Sequence, residues 1–214
     1  LGGISGVMMG MIRCNVPSVF LHGGSTLPGR YRGREITVLD TYETIGKVLA
    51  AIQPHSDDLS LFAAGTVAKL IREGYEGYLI RTTNDDHAGR GETVGDVVKN
   101  NIVDNEAVAK ALGLKKVFDL GYRNHMMDNY SMQDIRGRLI FLFRLLKVDT
   151  IISYDPWGHY EENPDHYITA KAVEAARWMS GGGRDYPEHL AAGLQPHGVS
   201  ERYYFARGPQ LVNR

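Results

Sequence analysis

Two short polar clusters in this 214-residue chain carry the side chains best suited to chemistry. The first, PHSDD, places His55, Asp57 and Asp58 directly after an apolar run. Imidazole nitrogens and carboxylate oxygens are ligands of zinc and related divalent cations. A cation would also offset the repulsion between two adjacent carboxylates. The first cluster therefore indicates part of a metal site.

A catalytic zinc site needs about three protein ligands and an open position for water. A turn at a strand end brings positions i and i+3 together, so His55 and Asp58 can supply two ligands. The best candidate for the third is His166 in the second cluster, NPDH, at a predicted helix start. Asp57 is then free to act as a general base.

Both clusters also have a purely structural interpretation, which stays open at this point. Ser56 or Asp57 is a candidate helix N-cap, and the helix dipole favours acids in a first turn. NPDH is typical of a helix start, with Pro164 near its first position. The metal site is favoured because both clusters are predicted to follow strands at one edge of a sheet.

The elements that position these clusters alternate between strand and helix from about residue 48. Five strands are predicted, at 48–53, 75–83, 115–122, 148–156 and 198–208. Four helices are predicted, at 59–74, 94–114, 131–147 and 165–179. Gly74 ends the first helix, and Ser131 is the predicted N-cap of the third. This alternation predicts an α/β fold, a Rossmann-like three-layer sandwich with a mostly parallel sheet. Ligands bind at the carboxyl ends of strands in such sheets. Both clusters lie there.

Composition excludes several classes of function. The net charge of −1 shows no excess of basic residues, so it does not favour binding to nucleic acid or to an anionic membrane. The single cysteine, Cys14, excludes an internal disulfide and a cysteine-rich metal site. Apolar runs are too short for a transmembrane segment, and no signal peptide is apparent, so we expect a cytoplasmic protein. The sequence leaves the oligomeric state open, a homo-oligomer included.

The order and spacing of the two clusters resemble those of the PIG-L/LmbE-like deacetylases. That family has His-Pro-Asp-Asp after its first strand and His-Pro-Asp-His before a helix. The stretches FAAGTVAKLIREGYEGYLIRTTND and NEAVAKALGLKKVFDLGYRN are also similar to its helices and strands. The resemblance covers about residues 48–214. It implies removal of an acetyl group from an N-acetylated amino sugar or sugar conjugate.

The same resemblance implies roles for individual residues. His55, Asp58 and His166 match the family's zinc ligands, and Asp57 matches its general base. The implied cofactor is Zn²⁺, or another divalent transition metal in its place. The implied partner is a small-molecule N-acetyl sugar or glycoconjugate.

The chain departs from the family's motifs at three positions. Ser56 replaces the Pro of the first motif, and Asn124 stands where some members have an acid. Asn163 replaces a His that stabilises the oxyanion in the family. Asn163 can still donate a hydrogen bond, so we keep it as a catalytic candidate, with His159 or Tyr160 as substitutes. These changes bear on substrate and rate more than on metal binding.

Aromatic and planar polar side chains near the clusters are candidates for sugar binding. The predicted substrate-binding residues are Asn84, Arg123, Trp157, His159 and Tyr160. His87 and His125, in loops after predicted strands, could also line the site. The structural alternatives are that Trp157 covers the core and that Asn84 belongs to an ordinary turn.

The first 47 residues have a different character. They are rich in Gly, with a predicted strand at 17–24 and a predicted helix at 41–50. They resemble a fragment of the dihydroxy-acid and phosphogluconate dehydratases, without the iron–sulfur cysteine that precedes this stretch in that family. Cys14 falls where that family usually has an apolar residue, so it is interpreted as packing rather than as a ligand. We expect 1–47 to be a fragment without its own core, joined to a deacetylase domain at 48–214.

Two alternatives to the deacetylase hypothesis follow from these departures. One is a non-catalytic metal- or sugar-binding module, which the replacement at Asn163 favours. The other is an iron–sulfur dehydratase fragment, which the missing cysteine argues against.

Overall fold

The computed structural model describes residues 29–31, 34–36, 46–158 and 161–207. The chain divides into two compact units, Leu1–Ile45 and Gly46–Arg214. In the first unit, β1 (Gly29–Tyr31) pairs antiparallel with β2 (Arg34–Ile36). The other predictions for the first 45 residues lie outside the described residues. They are the packing of Cys14, the strand at 17–24 and the beginning of the helix at 41–50.

The second unit is built on one parallel sheet. Its strands are β3 (Val48–Gln53), β4 (Glu76–Thr83), β5 (Val117–Tyr122), β6 (Thr150–Tyr154) and β7 (Glu201–Phe205). The strand order is β5-β4-β3-β6-β7, and all neighbouring strands run parallel. The central strand, β3, is a nearly continuous buried apolar run, as expected for a strand covered on both faces.

Helices cover this sheet. They are α1 (Asp58–Phe62), α2 (Ala64–Glu73), α3 (Val94–Leu112), α4 (Met132–Leu146), α5 (Pro164–Met179) and the short α6 (Pro187–Ala191), with a 3₁₀ turn at Met127–Asn129. Among the described residues, no helix is both long and apolar enough to cross a bilayer.

Alternate residues of β3 point to opposite apolar clusters. Ala50 and Ile52 lie in the cluster that includes buried residues of α4 and α5. Leu49 and Ala51 lie in the cluster that includes buried residues of α2 and α3. Because strand side chains alternate between faces, one strand contributes to both layers. The predicted three-layer α/β sandwich is confirmed.

Glycines end the two helices of one layer. Gly74 follows α2 with φ 110°, and Gly113 follows α3 with φ 77°; in each case the glycine N–H donates to a carbonyl of the last turn. Glycine adopts this left-handed conformation without a Cβ penalty. The helix stop predicted at Gly74 is observed.

Two helix predictions differ from the structure, and the N-cap predicted at Ser131 is confirmed in position only. The single helix predicted at 59–74 is broken into α1 and α2 at Ala63, whose φ is −136°. Ser131 occupies the N-cap position of α4 but makes no side-chain capping bond. The end of the helix predicted at 41–50 belongs to β3, because strand pairing on both sides overrides its helical pattern.

Candidate metal centre

The predicted site residues lie where the chain leaves the carboxyl ends of the parallel strands. His55 follows β3, Asp85 follows β4 and Asn124 follows β5. The chain moves from β3 to β4 and β5 on one side and returns to β6 on the other side of β3. The strand order therefore reverses beside β3, and α/β sheets bind their ligands at such a position.

Three buried side chains converge there. His55, Asp58 and His166 each offer one ligand atom, and these atoms lie within 4.8 Å of one another. The Nδ1 of His55 is 3.0 Å from the Nε2 of His166 and 3.4 Å from Oδ2 of Asp58. The Nε2 of His166 is 3.6 Å from Oδ1 of Asp58.

This donor set fits a divalent metal. Tetrahedral zinc bonds of about 2.0–2.1 Å would place neighbouring ligand atoms about 3.3 Å apart, close to the observed separations. Two imidazole nitrogens facing each other in a buried position repel unless a proton or a cation lies between them. Two histidines and one carboxylate also leave room for further ligands, as catalytic zinc sites do.

The far side of the His55 ring is held by a buried carboxylate. Nε2 lies 3.0 Å from Oδ2 of Asp165 and 3.1 Å from Oδ1 of Asn124. A carboxylate only accepts hydrogen bonds, so Nε2 carries the proton and the lone pair of the neutral ring lies on Nδ1, toward His166. Such an outer carboxylate fixes the tautomer and orientation of a metal-binding histidine.

The other two candidate ligands are also supported. The hydroxyl of Tyr154 donates to Oδ1 of Asp58 over 2.6 Å, and its ring stacks on His166 with centroids 4.1 Å apart. Oε1 of Glu161 lies 3.1 Å from Nδ1 of His166. That contact does not meet the geometry of a hydrogen bond, so Nδ1 of His166 is a buried polar atom without a hydrogen-bond partner among the described residues.

Burial and charge shift the protonation of the cluster. Burial lowers the pKa of His55, but hydrogen bonds to Asp165 and Asp58 outweigh it and raise that pKa to about 10. Burial raises the pKa of Asp58, but pairing with His55 and His166 keeps it below its usual range. The pKa of His166 is lowered, chiefly by burial. A metal would therefore replace a proton held at His55.

The two catalytic candidates lie in different environments. Asp57 is exposed at the N-cap position of α1, and its side chain makes no capping bond. The predicted N-cap position of Asp57 is therefore confirmed, whereas a capping hydrogen bond from its side chain is absent. Asn163 is the N-cap of α5: its side-chain oxygen accepts from the backbone N–H of Asp165 over 3.0 Å. The second cluster is thus a capped helix start that also contains a candidate ligand.

Two of the predicted substrate-binding residues, Asn84 and Arg123, both contact Asp86. Oδ1 of Asn84 accepts from the N–H of Asp86 in a tight turn after β4. Arg123 donates through Nε to the buried carboxylate of Asp86. Trp157 is 60% exposed and meets Tyr204 edge to face, so it does not cover the core. The remaining predicted residues, His159 and Tyr160, lie outside the described residues.

Sequence reasoning missed the supporting residues Asp165, Glu161 and Tyr154. The sequence contains one signal for the role of Asp165: it lies in the NPDH cluster, directly before the candidate ligand His166. Tyr154 ends a predicted strand, and Glu161 lies in a polar loop. Nothing in the spacing of these two residues indicates a contact with a ligand.

Ser56 has contacts that the Pro of the family motif could not make. Its N–H donates to Oδ2 of Asp85 over 3.0 Å. Its hydroxyl oxygen accepts from Arg81 and Asn105, both over 2.8 Å, and those two side chains are buried. Ser56 therefore links the candidate site to a buried polar network.

We expect Ser56→Pro to lower the free energy of unfolding by about 2–4 kcal/mol, because three buried polar groups each lose one hydrogen-bond partner. Ser56→Ala keeps the N–H and should lose less. Urea unfolding measures both effects, and Ser60→Ala on the exposed face of α1 is the matched control. A Ser56→Pro variant as stable as the parent would show that proline's backbone restraint outweighs these contacts.

A surface cavity of about 620 Å³ lies elsewhere, between β5, α4 and α6. It shares no lining residue with the His–Asp–His cluster. This cavity therefore does not locate the candidate metal centre; the convergence of ligand atoms does.

Comparison with known families agrees with the motifs. The profile of the family described as PIG-L, GlcNAc-PI de-N-acetylase, matches residues 50–177, more than half of the chain. The chain belongs to the PIG-L family. The matched range contains all three candidate ligands, most of β3 and the whole of β4, β5 and β6.

Two deacetylases are similar to this PIG-L chain over most of its length. Diacetylchitobiose deacetylase of Thermococcus kodakarensis is 26% identical over 182 residues, covering 82% of this chain and 66% of that protein. The structure of N,N'-diacetylchitobiose deacetylase from Pyrococcus horikoshii, complexed with its inhibitor MPG, superposes with a TM-score of 0.69 at 25% identity. That match covers 74% of this chain and 60% of the other.

A short segment has a different relative. Dihydroxy-acid dehydratase 3 of Bradyrhizobium diazoefficiens is 63% identical over 46 residues, which is 22% of this chain but 8% of that protein. The chain thus resembles two families, as its sequence indicates, and spans only part of the length of each of these relatives.

Proposed function

We propose that this chain is a zinc-dependent hydrolase that removes an acetyl group from an N-acetylated amino sugar or a sugar conjugate. The observation that carries the proposal is the convergence of His55, Asp58 and His166 at the switch point of the sheet, with the exposed Asp57 between the first two in sequence. Family membership and the similarity to diacetylchitobiose deacetylases support the choice of an amide substrate.

The proposed ligands are His55, Asp58 and His166. A bound divalent cation would supply Lewis-acid chemistry, lowering the pKa of a water molecule and polarising the substrate carbonyl. Asp165 orients the His55 ring through Nε2, while Tyr154 fixes one oxygen of Asp58. The protein's contribution is thus a preset arrangement of ligand atoms.

Asp57 is proposed as the general base. Its carboxylate is exposed, so a water molecule and a substrate can reach it. It would take the proton of the attacking water and return it to the departing amine. Asn163 keeps a free amide N–H₂ that can contact the substrate, although its oxygen caps α5. Asn84, Arg123 and Trp157 remain proposed substrate contacts.

The two parts of the chain have separate proposed origins. We assign the deacetylase domain to 48–214 and a dehydratase-like fragment to 1–47. The dehydratase match covers 8% of that protein, so it gives no support for dehydratase activity in this chain.

Acetate release tests the proposal. The full chain, loaded with Zn²⁺, is incubated with N-acetylglucosamine and N,N'-diacetylchitobiose, and both acetate and free amine are measured. We expect equal amounts of the two products, lost after chelation and restored by Zn²⁺. A chain that binds Zn²⁺ and these sugars without releasing acetate would instead be a binding module.

A further inference from the structure

His125 lies beside the candidate metal centre without belonging to its ligands. It follows Asn124, whose side-chain oxygen is 3.1 Å from Nε2 of His55. The rings of His125 and His55 meet edge to face, with centroids 6.2 Å apart and planes at 77°. His125 is exposed, so its ring is accessible from outside the protein.

The main chain of His125 is fixed by a residue that also supports a ligand. Its N–H donates to Oδ2 of Asp165 over 2.6 Å, and the same oxygen is 3.0 Å from Nε2 of His55. His125 has φ 58°, a left-handed conformation that is uncommon for non-glycine residues and is found where the surroundings impose it. The position of His125 is therefore set by the metal-site scaffold.

The imidazole of His125 is free to bind a substrate. Within the part of the chain that the structure describes, its ring makes no hydrogen bond; its ring contacts are to His55 and His87. Of the neighbouring amides, Asn124 donates to Asp85, whereas Asn163 is held at the start of α5 through its oxygen and keeps its N–H₂ free. His125 is thus an unengaged N–H donor at the edge of the candidate centre.

Building on the proposed deacetylase function, we propose that His125 is a further catalytic residue that donates a hydrogen bond to the substrate's acyl oxygen. The oxygen of water forms a bond to the carbonyl carbon, and the carbonyl electron pair moves to the acyl oxygen. The proton of water passes to Asp57. The C–N bond then breaks, and the amine takes that proton. His125 stabilises the negative oxygen and transfers no proton.

This assignment compensates for the change at Asn163. The family's motif has a histidine there, whereas Asn163 in this chain uses its side chain to begin α5. A single donor to an acyl oxyanion contributes about 10²–10³-fold to kcat. His125 approaches the site from the loop after β5 rather than from the start of α5.

Steady-state kinetics on the zinc-loaded full chain tests His125. We expect His125→Ala to lower kcat by about 10²–10³-fold, with KM changed less than about 3-fold, because the hydrogen bond strengthens in the transition state. His125→Gln, which keeps an N–H donor of similar reach, should retain at least about a tenth of the parent kcat. Zinc content should stay at the parent value in both variants. The control is His197→Ala. His197 is half-buried and lies beside Asp149, the residue directly before β6.

Three outcomes would overturn the assignment. If the parent chain hydrolyses an N-acetyl sugar and His125→Ala keeps kcat within 2-fold of the parent value, only the role of His125 is overturned. Equal losses in His125→Ala and His125→Gln would show that the ring packs rather than donates. A zinc-loaded parent that hydrolyses neither N-acetyl sugar would overturn the proposed function, and the role of His125 with it.

Discussion

We expect Asp57→Asn to lower kcat by about 10²–10⁴-fold, the usual contribution of a general base, while zinc content stays unchanged. Asparagine keeps the shape of the side chain but cannot accept the proton of water. Metal binding should persist because the nearby proposed ligand, Asp58, has its own partners: it accepts from the N–H of His55 and the hydroxyl of Tyr154.

The matched control is Asp128→Asn, an exposed aspartate in the 3₁₀ turn. It makes the same chemical change away from the ligand atoms, and we expect kcat within 2-fold of the parent. An Asp57→Asn variant that keeps full activity with full zinc content would require a different base. A variant that loses its zinc would instead make Asp57 part of the ligand set.

The second large effect is expected at Asp165. Replacing it with Asn should weaken zinc binding by about 10–100-fold, the usual loss when the outer partner of a ligating histidine is removed. Asp165 is fully buried, and its carboxylate also accepts from the N–H groups of His125 and Met127. An amide nitrogen there would face donors, so Tm should fall as well.

Competition with a chromophoric chelator measures the zinc affinity of Asp165→Asn. Glu162→Gln, an exposed acid-to-amide change three residues earlier, is the control and should bind zinc as the parent does. Unchanged affinity in Asp165→Asn with a lowered Tm would show that this carboxylate supports the fold but not the ligand.

The sheet was predictable because its strands are apolar runs set between helical patterns. Val48–Gln53 is a short apolar run that is buried on both faces, as is typical of a strand inside a parallel sheet. The break at Ala63 was not predictable, because no proline or glycine stands at the break itself. Helical spacing continues through it, and only the packing of α1 above β3 makes the chain turn.

The candidate ligands were predictable from topology, whereas their support was not. His55 and His166 are 111 residues apart, and they meet because parallel strands end at one edge of the sheet. The contact of Asp165 with His55 and with the N–H of His125 depends on how the loop after β5 passes over the start of α5. Such a three-way contact between loop and helix leaves no periodic pattern in the sequence.

Zinc titration of the full chain and of His166→Ala is the most direct test of the proposed metal centre. We expect about one tightly bound zinc per parent chain and a loss of at least about 100-fold in affinity for the variant, because a proposed ligand is removed. Glu162→Gln should bind zinc as the parent does. Equal zinc binding by the parent and His166→Ala, or none by either folded chain, would contradict a metal centre at His55, Asp58 and His166.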